Sequence, residues 1–133
     1  MSQIGVSYTP SGGSPVYNFV FTEFSDPGFP RTYSGTASFS FTASGSPNLA
    51  GPPYAQKYIW AITTRLSISD AESFDAMYRA WDADRSDGLA AAVGITDETF
   101  GDTVNASAVF TTAPSYSKMG HTHIWVSFGL TEI

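Results

Sequence analysis

Cysteine is absent from this 133-residue chain. Disulfides, zinc–thiolate sites and iron–sulfur clusters are therefore excluded. Charge is sparse as well: 6 bases and 12 acids make only 14% of the residues and leave a formal net charge of −6. So few bases argue against a surface built to grip nucleic acid phosphates, which needs the opposite balance. Long apolar runs are missing, and the longest, Leu89 to Ile95, falls far short of a membrane span. The opening residues, MSQIGVSYTP, show no basic segment followed by an apolar run, so no signal peptide is expected there. Neither a Gly-x-Ser-x-Gly elbow nor a glycine-rich loop ending in Lys-Ser or Lys-Thr occurs.

What remains is apolar and aromatic. Hydrophobic residues make 42% of the chain and aromatics 15%. That is enough apolar surface to offset the ordering entropy of a folded domain. The length suits one domain spanning 1–133. Most apolar residues alternate, as on half-buried strands. Tyr17, Phe19 and Phe21 share a face; so do Phe39 and Phe41; so do Tyr58, Trp60, Ile62, Thr64 and Leu66. Later, Val104, Ala106, Ala108 and Phe110 form a fourth such set, and Ile124, Val126, Phe128 and Leu130 a fifth. The period changes once. Ser69-Asp70-Ala71-Glu72 fits a capping box, Phe74, Met77, Tyr78 and Trp81 follow at helical spacing, and Gly88 is a stop. This predicts several strands, a single helix at about 70–86, then two or three further strands, in a mainly β domain.

Three stretches read as irregular. Residues 1–15 are expected to be a flexible segment in which Ile4–Tyr8 forms a short strand and PSGGSP (10–15), combining free backbone with missing donors, is a flexible or turn-forming stretch. Residues 43–57 are expected to form a long loop, and Thr112 to Gly120 another. Leu89 to Ile95 is expected to be a short buried strand, followed by a polar turn at DETFGD, 97–102.

Candidate chemistry is thin. Asp82, Asp84, Asp87 and Gly88 suggest a calcium loop, yet the sixth and twelfth positions hold Asp87 and Val93 where Gly and Glu are required. A solvated helix end is the better reading. His121 and His123 lie two apart and would point the same way on a strand, but two ligands alone specify no metal. Asp97 and Glu98 are adjacent, so a strand points them apart, which disfavours paired-carboxylate chemistry. Asn105-Ala106-Ser107 matches a glycosylation sequon. Phe24, Phe29, Tyr33, Tyr54, Phe100 and Tyr116 fall in or beside loops, where exposed rings would mark a partner surface or a sugar platform. No catalytic, cofactor-binding or metal-ligating residue is singled out, no cofactor is implied, and a non-enzymatic protein is expected.

From Tyr54 to Glu132 the chain resembles the minor tail and tail-tip (distal tail-like) proteins of long-tailed bacteriophages. The resemblance rests on YIWAITTRLS entering a helix opened by SDAES with FDAMYRAW, on the connection GLAAAVGITD, on ASAVFTTAPSY, and on the closing HIWVSFGLTEI. It implies an antiparallel β-sandwich or tail-tube-like barrel, mainly β with a single flanking helix, in a subunit made in the bacterial cytoplasm and placed in the virion tail. Such subunits form homo-oligomeric rings, often hexameric, that contact neighbouring tube, hub or tip proteins. DNA passes their channel only as transient cargo, and no membrane is involved. The competing expectations are a carbohydrate-binding β-sandwich module and a virion protein of the neck or capsid surface.

Overall fold

A computed structural model describes residues 3–24, 30–33, 38–41, 43–50 and 57–133 of the chain. In order these form β1 (Ile4–Tyr8), β2 (Tyr17–Phe21), β3 (Arg31–Tyr33), β4 (Ser38–Phe41), β5 (Pro47–Ala50), β6 (Tyr58–Ser67), α1 (Ile68–Ser86), β7 (Val93–Asp97), β8 (Val104–Met119) and β9 (His123–Glu132). Seven strands make one sheet in the order β2-β1-β7-β8-β9-β6-β3, and β4 pairs with β5 separately. Every ladder is antiparallel. The fold is thus mainly β with a single helix. Among the described residues it is not a closed barrel: β2 ladders with β1, and β6 is bonded by Glu23 and Phe24 beyond it rather than by β2 itself.

The expected alternation sets the inner face. Trp60, Ile62 and Leu66 of β6 are buried, as are Val126, Phe128 and Leu130 of β9 and Ala108 and Phe110 of β8. Helix α1 lies across this face with Ala71, Phe74, Met77 and Trp81 buried. Phe74 is the hub. Its ring centroid is 5.5 Å from that of Phe19, 5.7 Å from Phe21, 6.2 Å from Phe110 and 4.9 Å from Phe128. Such edge-on and tilted contacts suit the ring quadrupoles.

Both helix ends follow local chemistry. The N-cap is Ser67, whose hydroxyl accepts from the Asp70 N–H at 3.3 Å, so the helix starts two residues before the expected site. Ser69 also has the right chemistry, but Ser67 is the extended residue at the end of β6, which is the geometry a cap needs. At the other end Gly88 takes φ +82, its N–H reaches the Arg85 carbonyl, and the Leu89 N–H reaches the Asp84 carbonyl. That pair of bonds closes the helix in a Schellman arrangement, for which glycine is the natural residue.

Four expectations are corrected. The short strand Ile4–Tyr8 is present with the expected bounds, but within the 1–15 stretch read as flexible it is an inner strand between β2 and β7, with Ile4 and Val6 fully buried. Its short I-G-V-S-Y alternation is sufficient because both neighbours cover it. Within the expected 43–57 loop, Pro47–Ala50 pairs with β4. Proline is tolerated at the first position of an edge strand, where no ladder donor is required. The expected loop from Thr112 is strand as far as Met119, with register shifts between Phe110 and Ser115 that absorb Pro114. Finally, β7 begins at Val93 and ends on Asp97, so that aspartate lies buried at a strand end rather than in a polar turn. Strand β3 was not expected at all; three residues after a proline carry no readable period.

Candidate functional site

Three clusters of polar side chains stand out, each held by different elements. In the first, β1 meets the end of α1. Asp84 is 8% exposed and accepts from the Tyr8 hydroxyl, from the Ser11 N–H at 3.1 Å and from the Ser11 hydroxyl at 2.9 Å. The bonds from Tyr8 and then Ser11 hold its carboxyl below the ordinary aspartate value. Burial, then the bond to Asp84 and its charge, push the Tyr8 hydroxyl up to about 12. An open cavity of about 290 Å³ adjoins the cluster, with Thr9, Leu89, Ala90 and Ala91 on its walls.

The second cluster fastens β3 to β6 and β7. Asp97 is fully buried. One carboxyl oxygen accepts from Arg31 Nη1 at 3.0 Å and Trp60 Nε1 at 2.9 Å; the other accepts from the N–H and hydroxyl of Thr99. Burial would raise this carboxyl. The bonds from Thr99 and Trp60 and the charge of Arg31 outweigh it, so the group lies below the ordinary value. The Arg31 guanidinium sits 4.7 Å from the Tyr58 ring centre and 4.4 Å from that of Phe100. Tyr33 stacks on Tyr58 in turn, with centroids 5.1 Å apart. Arg31 also contacts Asp102 at 3.4 Å. The result is a column of Phe100, Arg31, Tyr58 and Tyr33, in which the cation lies between two π-faces.

The third cluster lines a polar cleft of about 270 Å³ between β2, β6 and β9, with Thr22, Glu23, Arg65, Ser67, Asp70 and His123 around it. It holds acids, a base and an imidazole, the raw material of acid–base chemistry. Glu23, however, is engaged by Arg65, which holds its carboxyl below the ordinary value. The His123 Nδ1 faces the Thr122 hydroxyl at 2.8 Å. A hydrolytic site needs an imidazole oriented by a carboxylate and set against a nucleophile. Among the described residues no carboxylate hydrogen-bonds either histidine.

The sequence candidates disperse over these clusters. Asp82 pairs with Arg85, Asp84 ties down β1, and Asp87 caps α1, so the three aspartates do not converge on one ion. His121 is exposed in the turn before β9, while His123 opens that strand. Among the described residues no group of three or more His, Asp or Glu could hold a metal. Asn105 accepts from the Thr96 hydroxyl on the outer sheet face. Of the loop aromatics, Phe100 and Tyr33 end the stacked column. Tyr116 reaches across to Asp75 of α1 at 3.1 Å, and burial with that carboxylate pushes its hydroxyl up. Phe24 bridges β6 at Thr64. Phe29 and Tyr54 lie outside the described residues.

Sequence reasoning missed the Tyr8–Asp84 and Arg31–Asp97 ties. Both join residues more than 60 positions apart, so no local spacing pairs them. One signal was present: Asp97 closes an apolar alternation, Val93 and Ile95 before it, on the buried phase. Among the described residues no helix is long and apolar enough to cross a membrane. No known family model and no curated protein matches the sequence.

Proposed function

We propose that the protein is a non-enzymatic structural subunit of a bacteriophage tail, one copy in a ring near the tail tip or baseplate around a channel for DNA. The observation that carries this reading is the open edge of distal β8. Beyond Ala108 that strand has β9 on one side and, among the described residues, no strand on the other. An edge of this kind invites pairing with another chain. The polar clusters support the same reading. Asp84 and Asp97 are saturated by internal donors, as befits fixed joints in a passive block. Half of the acids, Asp70, Glu72, Asp75, Asp82, Asp84 and Asp87, lie along α1 and its cap, against Arg79 and Arg85. A ring that turns this flank to its channel presents DNA with a repelling wall, along which it slides. Neighbouring tube, hub or tip proteins are the remaining partners.

The experiment is localisation in purified virions. Cross-linking with mass spectrometry and particle imaging should place a fixed number of copies at the tail tip. Absence from the particle refutes the proposal, and placement at the neck or capsid surface moves it there. A carbohydrate-binding module is the second reading, favoured by Tyr33, which ends the stacked column and is 62% exposed. Glycan binding lost on Tyr33→Ala would favour it over the tail.

A further inference from the structure

We propose that copies of this chain join edge to edge, with β2 of one copy adding to the distal edge of β8 of the next. The inference rests on the reading of the protein as an assembling subunit and names the contact. Two observations define the acceptor. β7 accompanies β8 only as far as Ala108, yet β8 continues to Met119. After the irregularity around Pro114, Ser115 to Met119 resume a regular register with β9. Those five residues are the longest regular run that β8 offers without a second neighbour among the described residues. The donor is β2, also five residues long, which ladders with β1 on one side and with no described strand on the other. Val20 on this strand and Val16 just before it are 58% and 67% exposed.

Charge selects the partner. Each copy carries −6, so two copies repel wherever acid meets acid. Neither edge contains an acid: VYNFVF (16–21) is uncharged, and TTAPSYSKM (111–119) carries only Lys118. A strongly basic partner would be drawn to the acidic flank of α1. These neutral edges suit a like-charged partner, which a second copy is. The faces also agree. Val20 lies opposite Gly5, and Ser115 and Ser117 lie opposite Ser127 and Trp125, all on the side of the sheet away from α1. Joining the edges with these residues on one side continues both the apolar and the hydroxyl-bearing faces from copy to copy. Because the two edges differ, the contact is head-to-tail, the kind that builds a ring when the rotation from copy to copy closes.

The test uses the full chain with Val20→Lys or Ser117→Lys, both at exposed positions, and light scattering over a concentration series. The parent should form a closed oligomer, and each variant alone should fall to the monomer mass while still melting in one cooperative transition, as a folded monomer does. Mixed in equal amounts, the two variants each retain one intact edge, and a dimer that grows no further is expected. An unaffected Val20→Lys oligomer overturns the contact, as does a mixture that stays monomeric or a parent that never assembles. A second measurement uses the cysteine-free background. Val20→Cys with Ser115→Cys, or with Ser117→Cys, should form disulfides between copies, since facing strand residues lie within bridging distance. Lack of cross-linking by both pairs in an assembled parent overturns the contact too. Failure here with copies present at the tail tip leaves the tail assignment standing. Absence from virions removes that assignment whatever the edges do.

Discussion

Replacing Asp97 by alanine is expected to destabilise the fold by about 4 kcal/mol, a value built from the donors that lose their acceptor. Four bonds converge on this carboxylate. The N–H and hydroxyl of Thr99 are only half-buried, so water can replace the acceptor at small cost. Trp60 is fully buried, and its indole N–H is left unpaired, costing about 1–3 kcal/mol. Arg31, whose side chain is 11% exposed, loses its nearest counter-charge. Breaking a buried ion pair from one side costs about 3–5 kcal/mol, and the surviving contact to Asp102 keeps the loss at the low end. The two costs overlap because Arg31 and Trp60 share one oxygen. Asp97→Asn keeps one acceptor but turns an amide on the other donors, so about 2 kcal/mol is expected. Arg31→Met leaves Asp97 with three donors and should cost about 1–2 kcal/mol. The double variant Arg31→Met with Asp97→Ala should then cost less than the sum of the singles by about 1–2 kcal/mol. Urea unfolding at neutral pH reads all four values. An Asp97→Ala protein within about 1 kcal/mol of the parent would refute the reasoning, since it would mean that the buried indole and guanidinium find other acceptors.

Other outcomes follow from the same contacts. Phe74→Ala removes the ring on which four others converge and should cost about 3–5 kcal/mol in the same unfolding assay. Gly129→Ala sets a methyl 2.9 Å from the Thr112 side chain at the β8 irregularity, so a loss of about 1–3 kcal/mol is expected, relieved by adding Thr112→Gly. Asp84 and Asp97 both titrate below the ordinary aspartate value when folded. The unfolded chain therefore takes up protons first as pH falls, and melting temperature should be steady above about pH 5 and drop below about pH 4. Asp84→Asn should flatten part of that drop. Tyr8 shows the opposite sign: its hydroxyl stays protonated in the fold from 10.0 up to about 12 while the unfolded chain has lost the proton. Stability should thus decline across that alkaline window, and Tyr8→Phe should remove its share of the slope.

The parts of the fold that could be read from sequence are those whose burial follows a fixed period. β6, β9 and the first half of β8 alternate cleanly, and α1 shows its stripe from Phe74 to Trp81. What escaped has long-range causes. β3 is three residues held by Arg31, whose partners lie 66 and 71 positions away. Distal β8 carries Ser, Thr and Pro114, a loop-like composition, and is a strand because β9 pairs with it. β5 opens on a proline and follows Gly45, so its pairing with β4 is invisible to local propensity. The candidate clusters escaped for the same reason. Asp84 looked like one of three calcium ligands, but its partners, Tyr8 and Ser11, come from the far end of the chain.

The placement of charge sets apart two edges that have no partner strand among the described residues. Natural sheets blunt their edges with charge, proline or irregular register. Here β3, the strand at one end, carries Arg31, locked inward on Asp97 and covered by two rings. The β4–β5 ribbon follows that strand directly in sequence. On β8 the irregular stretch and Pro114 occupy the middle of the exposed run, which leaves Ser115 to Met119 regular and guarded only by Lys118. Strand β2, at the opposite end, carries no charge and no proline, and its exposed Val20 makes contact with solvent the less favourable option. The uneven protection concerns two edges of equal length and compatible face, on a chain whose acids lie elsewhere. That pattern fits strands left open for one another across copies. It also locates the sensitivity: a single charge on either edge should matter more to assembly than several on the outer side of α1.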